Sequence, residues 1–307
     1  MAARDRGSSM ADDAACVVVT YDALPWLEQC LASVAGVETV VVDNGSTDGT
    51  VAFVRQRFPA VRVVEAENRG LAAGWNCGVA ETSAEHLLIL NADAWLVGDA
   101  LSTLLGVARR RPRAAVVAPR LRNPDGTVQR SVRGFPTLWR IATEYLYLRK
   151  LAPRSQALNA FYAGGFDHDE ERVVDWVMGS CFLARRSAYD EVGPFDERYF
   201  LFSEEVDWIR RARDRGYETV FTPAAECVHV GGASHGGRLF RENVRGQLRY
   251  LALHGRRGEA ERARRLLRAS LLARGRLHRG ERARLYREVA TWLGSGDVET
   301  LIAGSVR

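Results

Sequence analysis

Long apolar runs are missing from this chain of 307 residues. No stretch of about 18 uncharged apolar residues exists, the length a membrane-spanning helix requires. Residues 1–15 carry no apolar segment of the kind a secretory signal has. No two cysteines form a C-x-x-C pair, and their number is odd: Cys16, Cys30, Cys77, Cys181 and Cys227. They read as reduced core thiols of a cytosolic protein, not as a disulfide framework. The first strand-to-helix turn lacks G-x-G-x-x-G, which argues against a dinucleotide dehydrogenase, and G-x-x-x-x-G-K-[ST] is absent, which argues against a P-loop. Lysine occurs once, at Lys150, so nearly all positive charge is arginine. Internal repeats and low-complexity linkers are absent too.

What is present suits a large globular core: 47% of residues are hydrophobic and 26% charged. Nearly continuous apolar runs at 16–20, 39–43, 61–65, 86–91 and 114–118 predict strands buried on both faces. Between them, Leu24, Leu27, Leu31 and Val34 follow helical spacing, with Asp22 as the expected cap and Pro25 in the first turn. Ser46-Thr47-Asp48 predicts the start of a second helix, running to about Arg57. Residues 72–80 and 99–110 supply two more. Strand–helix alternation of this kind predicts a mostly parallel sheet with helices on both faces.

Residues 121–173 are less regular and rich in aromatics, with an acidic patch at 167–171. They read as an excursion that walls a substrate site. A strand over 173–184, a helix over 186–192, a helix over 204–215 and a strand over 219–222 are expected next. From Leu239 the pattern is helical and basic. Residues 238–288 hold sixteen Arg against five Glu, although the whole chain carries only +5. The expected organisation is a flexible tail (1–14), a catalytic α/β domain (15–237, halves meeting near 120) and an Arg-rich helical extension (238–307).

Ligands of open α/β sheets bind beyond the carboxyl ends of the strands. There this chain places Thr20-Tyr21-Asp22, then Asp43-Asn44-Gly45-Ser46, then Asn68-Arg69-Gly70, then Asn91-Ala92-Asp93. Each alone also reads as a turn or a helix cap. Glu204-Glu205-Val206-Asp207 follows the aromatic run Tyr199–Phe202. Carboxylates opening a helix gain from its dipole; beside an apolar wall they also suit a general base, because desolvation and mutual repulsion raise a pKa. His229 ends an apolar stretch before a Gly-rich loop, a ligand-like position.

In this order the motifs are familiar. Val17–Tyr21, Val41–Gly49, Asn68-Arg69-Gly70, Asn76-Cys77-Gly78, Leu88–Asp93, Trp176–Gly179, Gly193–Glu197, Phe200–Asp207 and His229 together resemble the family 2 glycosyltransferases, in their rhamnosyltransferase-like bacterial branch. The resemblance spans residues 15–237. It implies a GT-A fold and an inverting transfer from a nucleotide-diphospho sugar. By that resemblance Asp43 contacts the nucleobase, and Thr20, Tyr21 and Asp22 line the nucleoside. Asn68, Gly70 and Asn76 lie near the nucleotide. Asn91-Ala92-Asp93 is the D-x-D-type element, with Asp93 on a divalent metal and His229 as a further ligand. Glu205, or Glu204, is the base. Ser234 and Arg238 close over the diphosphate, and Trp176 and Gly179 stand on the acceptor side.

The implied cofactor is Mg²⁺ or Mn²⁺, hard cations with open coordination. The donor is dTDP-, UDP- or GDP-linked, with dTDP-L-rhamnose favoured by the branch. The acceptor is a glycan, a lipid-linked saccharide or a natural product. Three departures stand out: Asn91 for a first carboxylate, Glu205 where Asp is commoner, and Asp22 where Asn is frequent. A non-catalytic sugar-nucleotide binder is the alternative, opposed by the retained acids. A nucleotidyltransferase is opposed by Thr20–Leu27, which has neither Gly nor Arg. The basic C-terminus reads either as a peripheral anchor at the inner face of the membrane or, preferably, as a packed helical cap with a solvated Arg face. Nothing beyond charge suggests nucleic acid.

Overall fold

The computed structural model describes residues 13–231 and 237–303, with the backbone alone at 237 and 238. The first half alternates strictly. Strands β1 (Ala14–Thr20), β2 (Glu38–Asp43), β3 (Arg62–Glu65) and β4 (His86–Asn91) are interleaved with α1 (Leu24–Ala32), α2 (Thr50–Arg57) and α3 (Leu71–Ala80). Then come β5 (Ala94–Val97), α4 (Ala100–Arg110), β6 (Ala114–Arg122), β7 (Val128–Gln129), β8 (Val132–Arg133) and α5 (Leu138–Tyr145). After them follow β9 (Arg172–Val174), β10 (Trp176–Val177), β11 (Cys181–Arg185), α6 (Arg186–Val192), α7 (Glu204–Asp214) and β12 (Glu218–His229). Four helices close the chain: α8 (Gly237–His254), α9 (Glu259–Leu277), α10 (Gly280–Trp292) and α11 (Val298–Ala303).

The main sheet runs β3-β2-β1-β4-β11-β6-β12-β5. β1 pairs in parallel with β2 and β4, and β2 with β3. β11 is inserted antiparallel between β4 and β6. Period-two alternation sorts the strand side chains onto two faces. Cys16, Val18, Val41 and Leu88 pack with α1 and α4 on one. Val17, Leu87, Ile89 and Phe182 pack with the helices of the second half on the other. All five cysteines are unpaired and four are buried, as expected of core thiols.

Three expectations need correcting. The run at 173–184 is three pieces, β9, β10 and β11, because the chain changes partner at each: β12, then β8, then β4. The strand expected at 219–222 continues to His229, because a register shift near Thr222 lets its second half pair with β5. Asp22 does not cap α1: the Leu24 amide donates to Asp48 Oδ2 at 3.0 Å, and the Thr47 amide to Asp22 Oδ1 at 2.7 Å. The two loops have exchanged aspartates.

The Arg-rich segment packs on the sheet domain as a helical cap, the preferred of the two readings. Val244, Leu248, Leu267, Leu271, Val289 and Leu301 share one apolar cluster with Val206 and Trp208. Several of its arginines are buried staples for backbone carbonyls. Arg245 donates to Leu301 O and Arg274 to Tyr145 O. Arg249 donates to the carbonyls of Arg198 and Ile302, and the exposed Arg287 to Gly275 O. Planar, multi-donor guanidinium suits such carbonyl clusters. Among the described residues no helix is long and apolar enough to cross a membrane.

Candidate active site

The ends of β2, β1 and β4 form one edge, and two strand spacings separate β2 from β4 by roughly 10 Å. At the β2 end Asp43 is buried, and its Oδ2 accepts the Gly45 and Ser46 amides at 3.1 and 2.9 Å. Its Oδ1 has no partner, nor has the buried hydroxyl of Thr20 beside it on β1. Buried polar atoms are normally hydrogen-bonded, so both are free for a ligand. Tyr21 projects into solvent, 58% exposed. Asp22 takes a left-handed φ of 48°, and its amide donates to the Ser46 hydroxyl oxygen at 2.9 Å.

Asn68 Oδ1 accepts the Gly70 amide at 3.2 Å, and Asn44 donates to the Gly70 carbonyl at 3.3 Å. Gly70 has φ +100°, and a Cβ there would collide with the Phe200 carbonyl. The Leu71 amide donates to that same carbonyl at 2.8 Å. Only glycine permits this approach, which docks the Asn68–Gly70 turn onto the segment leading to Glu204.

Beyond β4 the Asn91-Ala92-Asp93 element turns into β5. β5 pairs with β12 so that Ala94 faces His229, and Asp93 therefore meets a residue 136 positions away. Asp93 Oδ1 lies 3.4 Å from His229 Nε2, and Oδ2 accepts the Gly231 amide at 3.2 Å. Burial pushes the Asp93 carboxyl up, but the His229 contact and the Gly231 amide outweigh it and hold it below the usual carboxylate range. His229 Nδ1 stands 2.7 Å from Gln129 Oε1. Nε2 faces Asp93, as a donor when it carries a proton and as a lone pair when it does not. Without that proton, an imidazole nitrogen and a carboxylate converging at 3.4 Å can serve as two ligands of one cation. The donor set, one carboxylate and one imidazole, suits Mn²⁺ or Mg²⁺ completed by phosphate and water. No group of three or more His, Cys, Asp or Glu is assembled for a metal among the described residues.

On the far side α7 opens with Glu204 and Glu205, both buried. Glu205 Oε1 accepts the Gly179 amide at 3.2 Å, and the Oε2 atoms of both glutamates are unpartnered. Burial pushes both carboxyls up, and for Glu204 the Glu205 charge adds to it. For Glu205, backbone amides and the charge of Arg133 pull partly back. The turn before α7 is strained: Phe202 and Ser203 have φ of 71° and 74°. Non-glycine residues in that region cost about 1–3 kcal/mol each and persist only where their surroundings hold them. Here α8 does so. A Cβ on Gly246 would lie 2.7 Å from the Phe202 carbonyl and 2.9 Å from Ser203 Oγ. Asp207, one turn on, is clamped by Arg211 at 2.8 Å and by His254 of α8 at 2.7 Å.

The structure thus brings Thr20, Asp22, Asp43, Asn68 and Gly70 to one end of the edge. Asn91, Ala92, Asp93 and His229 stand at its middle, and Gly179, Glu204 and Glu205 across from them. Asn76 does not join them. Its amide donates to Phe195 O and Glu197, and its carbonyl accepts the Tyr189 hydroxyl and the Phe195 amide, so all its capacity brackets the 193–197 loop. Trp176 is 6% exposed and donates to Gly134 O, which leaves its ring in the core, not on an acceptor sugar. Ser234 lies outside the described residues, as does the side chain of Arg238. Sequence reasoning missed Gln129 and Arg133. Neither sits in a motif; a polar residue in a two-residue strand acquires meaning only from its partner.

A family model for glycosyl transferase family 2 matches residues 15–193. An N-acetylglucosaminyl-diphospho-decaprenol L-rhamnosyltransferase of Mycobacterium tuberculosis is 35% identical over 237 residues, covering 72% of this chain and 76% of its own. Among solved structures, a Pyrobaculum calidifontis mannosyltransferase in complex with GDP-Man and Mn²⁺ aligns with a TM-score of 0.55 at 19% identity, over 95% of this chain and 86% of its own. GalNAc-T7 with UDP, GalNAc and Mn²⁺ aligns at 0.57 and 12% identity, over 94% and 56%. These likenesses carry the GT-A fold.

Proposed function

The chain belongs to glycosyl transferase family 2, and from that premise we propose that it is an inverting, divalent-metal-dependent transferase moving L-rhamnose from dTDP-L-rhamnose to a lipid-linked saccharide. The observation that carries this reading is the pair Asp93 and His229, 3.4 Å apart, on an element whose Asn91 amide bonds Ser180, next to the Gly179 whose amide holds the buried Glu205. The L-rhamnosyl donor and lipid-linked acceptor follow the activity named for the mycobacterial relative.

Asp43 Oδ1 accepts the imide N–H of a thymine or uracil ring, which adenine and cytosine lack. Asp93 and His229 hold the cation, which when bound offsets the charge of the departing diphosphate. Glu205 Oε2 takes the proton from the acceptor hydroxyl. The acceptor oxygen forms its bond to the anomeric carbon as the bond to the diphosphate oxygen breaks. That electron pair leaves with the nucleoside diphosphate, and the anomeric configuration inverts. The raised Glu205 pKa makes it a stronger base than an exposed glutamate, and Gly179 fixes its direction.

The reaction is placed at the inner face of the membrane, where exposed arginines of the C-terminal helices meet anionic lipid. Vesicle flotation checks that placement; failure to float with anionic vesicles refutes it. Calorimetric titration of dTDP, UDP and GDP with Mn²⁺, with Mg²⁺ and with chelator tests the donor site. Metal-dependent dTDP binding in the micromolar range is expected. Equal binding with chelator would remove the metal from the reading, and no binding of any nucleotide would leave a scaffold of the same fold.

A further inference from the structure

Behind the acceptor side lies a cavity of about 300 Å³, lined by Arg133, Arg140, Arg172, Gln156, Phe166 and Asp175 among others. Its cations outnumber its anions. Asp175 is already bound to Arg140 at 2.9 Å and to Arg213 at 2.6 Å. Arg172 has only a 3.8 Å contact with Glu170, and its side chain is 55% exposed. Arg133 makes no salt bridge among the described residues. Its guanidinium is held against the rings of Phe161, Tyr162 and Trp176 at 5.7, 4.6 and 5.8 Å. Its one hydrogen bond there goes to Met178 sulfur at 3.6 Å, and its Nε is buried without a partner. Arg133 is half-buried, and its guanidinium is left without a carboxylate partner. It is also preorganised for an anion that offers two neighbouring oxygens, as a phosphate does.

The position of Arg133 relates that anion to the chemistry. β8 pairs with β10 so that Arg133 faces Trp176, and two residues on from Trp176 stand Met178 and then Gly179, whose amide holds Glu205. The cavity and the base are thus joined by one short ribbon. An accepting sugar with its reacting hydroxyl at Glu205 has its anomeric oxygen one ring width away. We infer that the cavity seats the anionic linkage of the acceptor, a phosphate or diphosphate on that anomeric oxygen, held by Arg133 and Arg172. The inference rests on the transferase reading above and specifies which acceptors its site accepts.

The test compares two acceptors of the full-length enzyme with matched alkyl chains: an N-acetylglucosaminyl diphosphate ester and the neutral N-acetylglucosaminide. Wild-type kcat/KM should favour the diphosphate ester by about a hundredfold or more, the worth of a few charge-assisted hydrogen bonds. Arg133→Gln should cut that ratio by roughly ten- to a hundredfold, and Arg172→Gln by about tenfold. Arg172 is exposed, so its variant keeps the test usable even if Arg133→Gln fails to fold. A wild-type ratio near one, or a ratio unmoved in Arg172→Gln and in any folded Arg133→Gln, overturns the inference while leaving the transferase reading standing. Turnover of neither acceptor overturns both.

Discussion

The donor and acceptor sides treat their carboxylates in opposite ways. Asp93 keeps partial exposure and contacts that favour the anion, so it stays charged. Glu204 and Glu205 sit in a buried turn that disfavours the anion. A group that holds a cation must remain ionised through the catalytic cycle. A group that takes a proton must accept both states. The same functional group serves both tasks, and burial decides which.

The largest effect should come from deleting the proton acceptor. Glu205→Gln should lower kcat by about a thousandfold or more, with dTDP affinity in Mn²⁺ retained. If transfer survives and Glu204→Gln abolishes it, the role moves one residue. Asp93→Ala should next weaken metal-dependent nucleotide binding by about a hundredfold, read by calorimetry; unchanged affinity with Mn²⁺ would break the comparison at its donor end. Gln129→Leu releases the His229 ring and should weaken Mn²⁺ binding by roughly tenfold, measured by spin resonance of the free ion in the presence of dTDP. Glu204→Gln should stabilise the fold. A carboxyl whose pKa is raised on folding contributes stability below its unfolded value and loses it as pH rises through the folded one. The gain should therefore appear at neutral pH, as about 2 °C or more in the melting midpoint, and vanish in acid. For the same reason the acid limb of kcat/KM should lie above the ordinary glutamate range in wild type.

Much of the donor side was legible because β1, β2 and β4 are buried on both faces. Their continuous apolar runs announce where each strand stops, and Asp43 and Asp93 stand at or just past those stops. Glu205 was legible by its position after an aromatic run. What escaped depends on contacts remote in sequence. β8 and β10 have two residues each and exist only as each other's partner. Asn76 resembles a ligand residue until Phe195, 119 positions on, is seen to occupy it. Most C-terminal arginines are exposed, as a solvated face expects, but Arg245, Arg249 and Arg274 are buried, and a guanidinium that caps a buried carbonyl has the same spelling as one in water.

The close seating of Gly246 on the Phe202–Ser203 turn has a consequence for how the molecule opens. That turn has no local sequence reason to hold its shape, so its protection from solvent exchange is borrowed from α8. The amides that begin α7 should exchange in the same cooperative unit as those of α8. The proposed base and a helix some forty residues downstream would then be lost or kept together, and the chain cannot be trimmed back to its sheet and keep that glutamate in place.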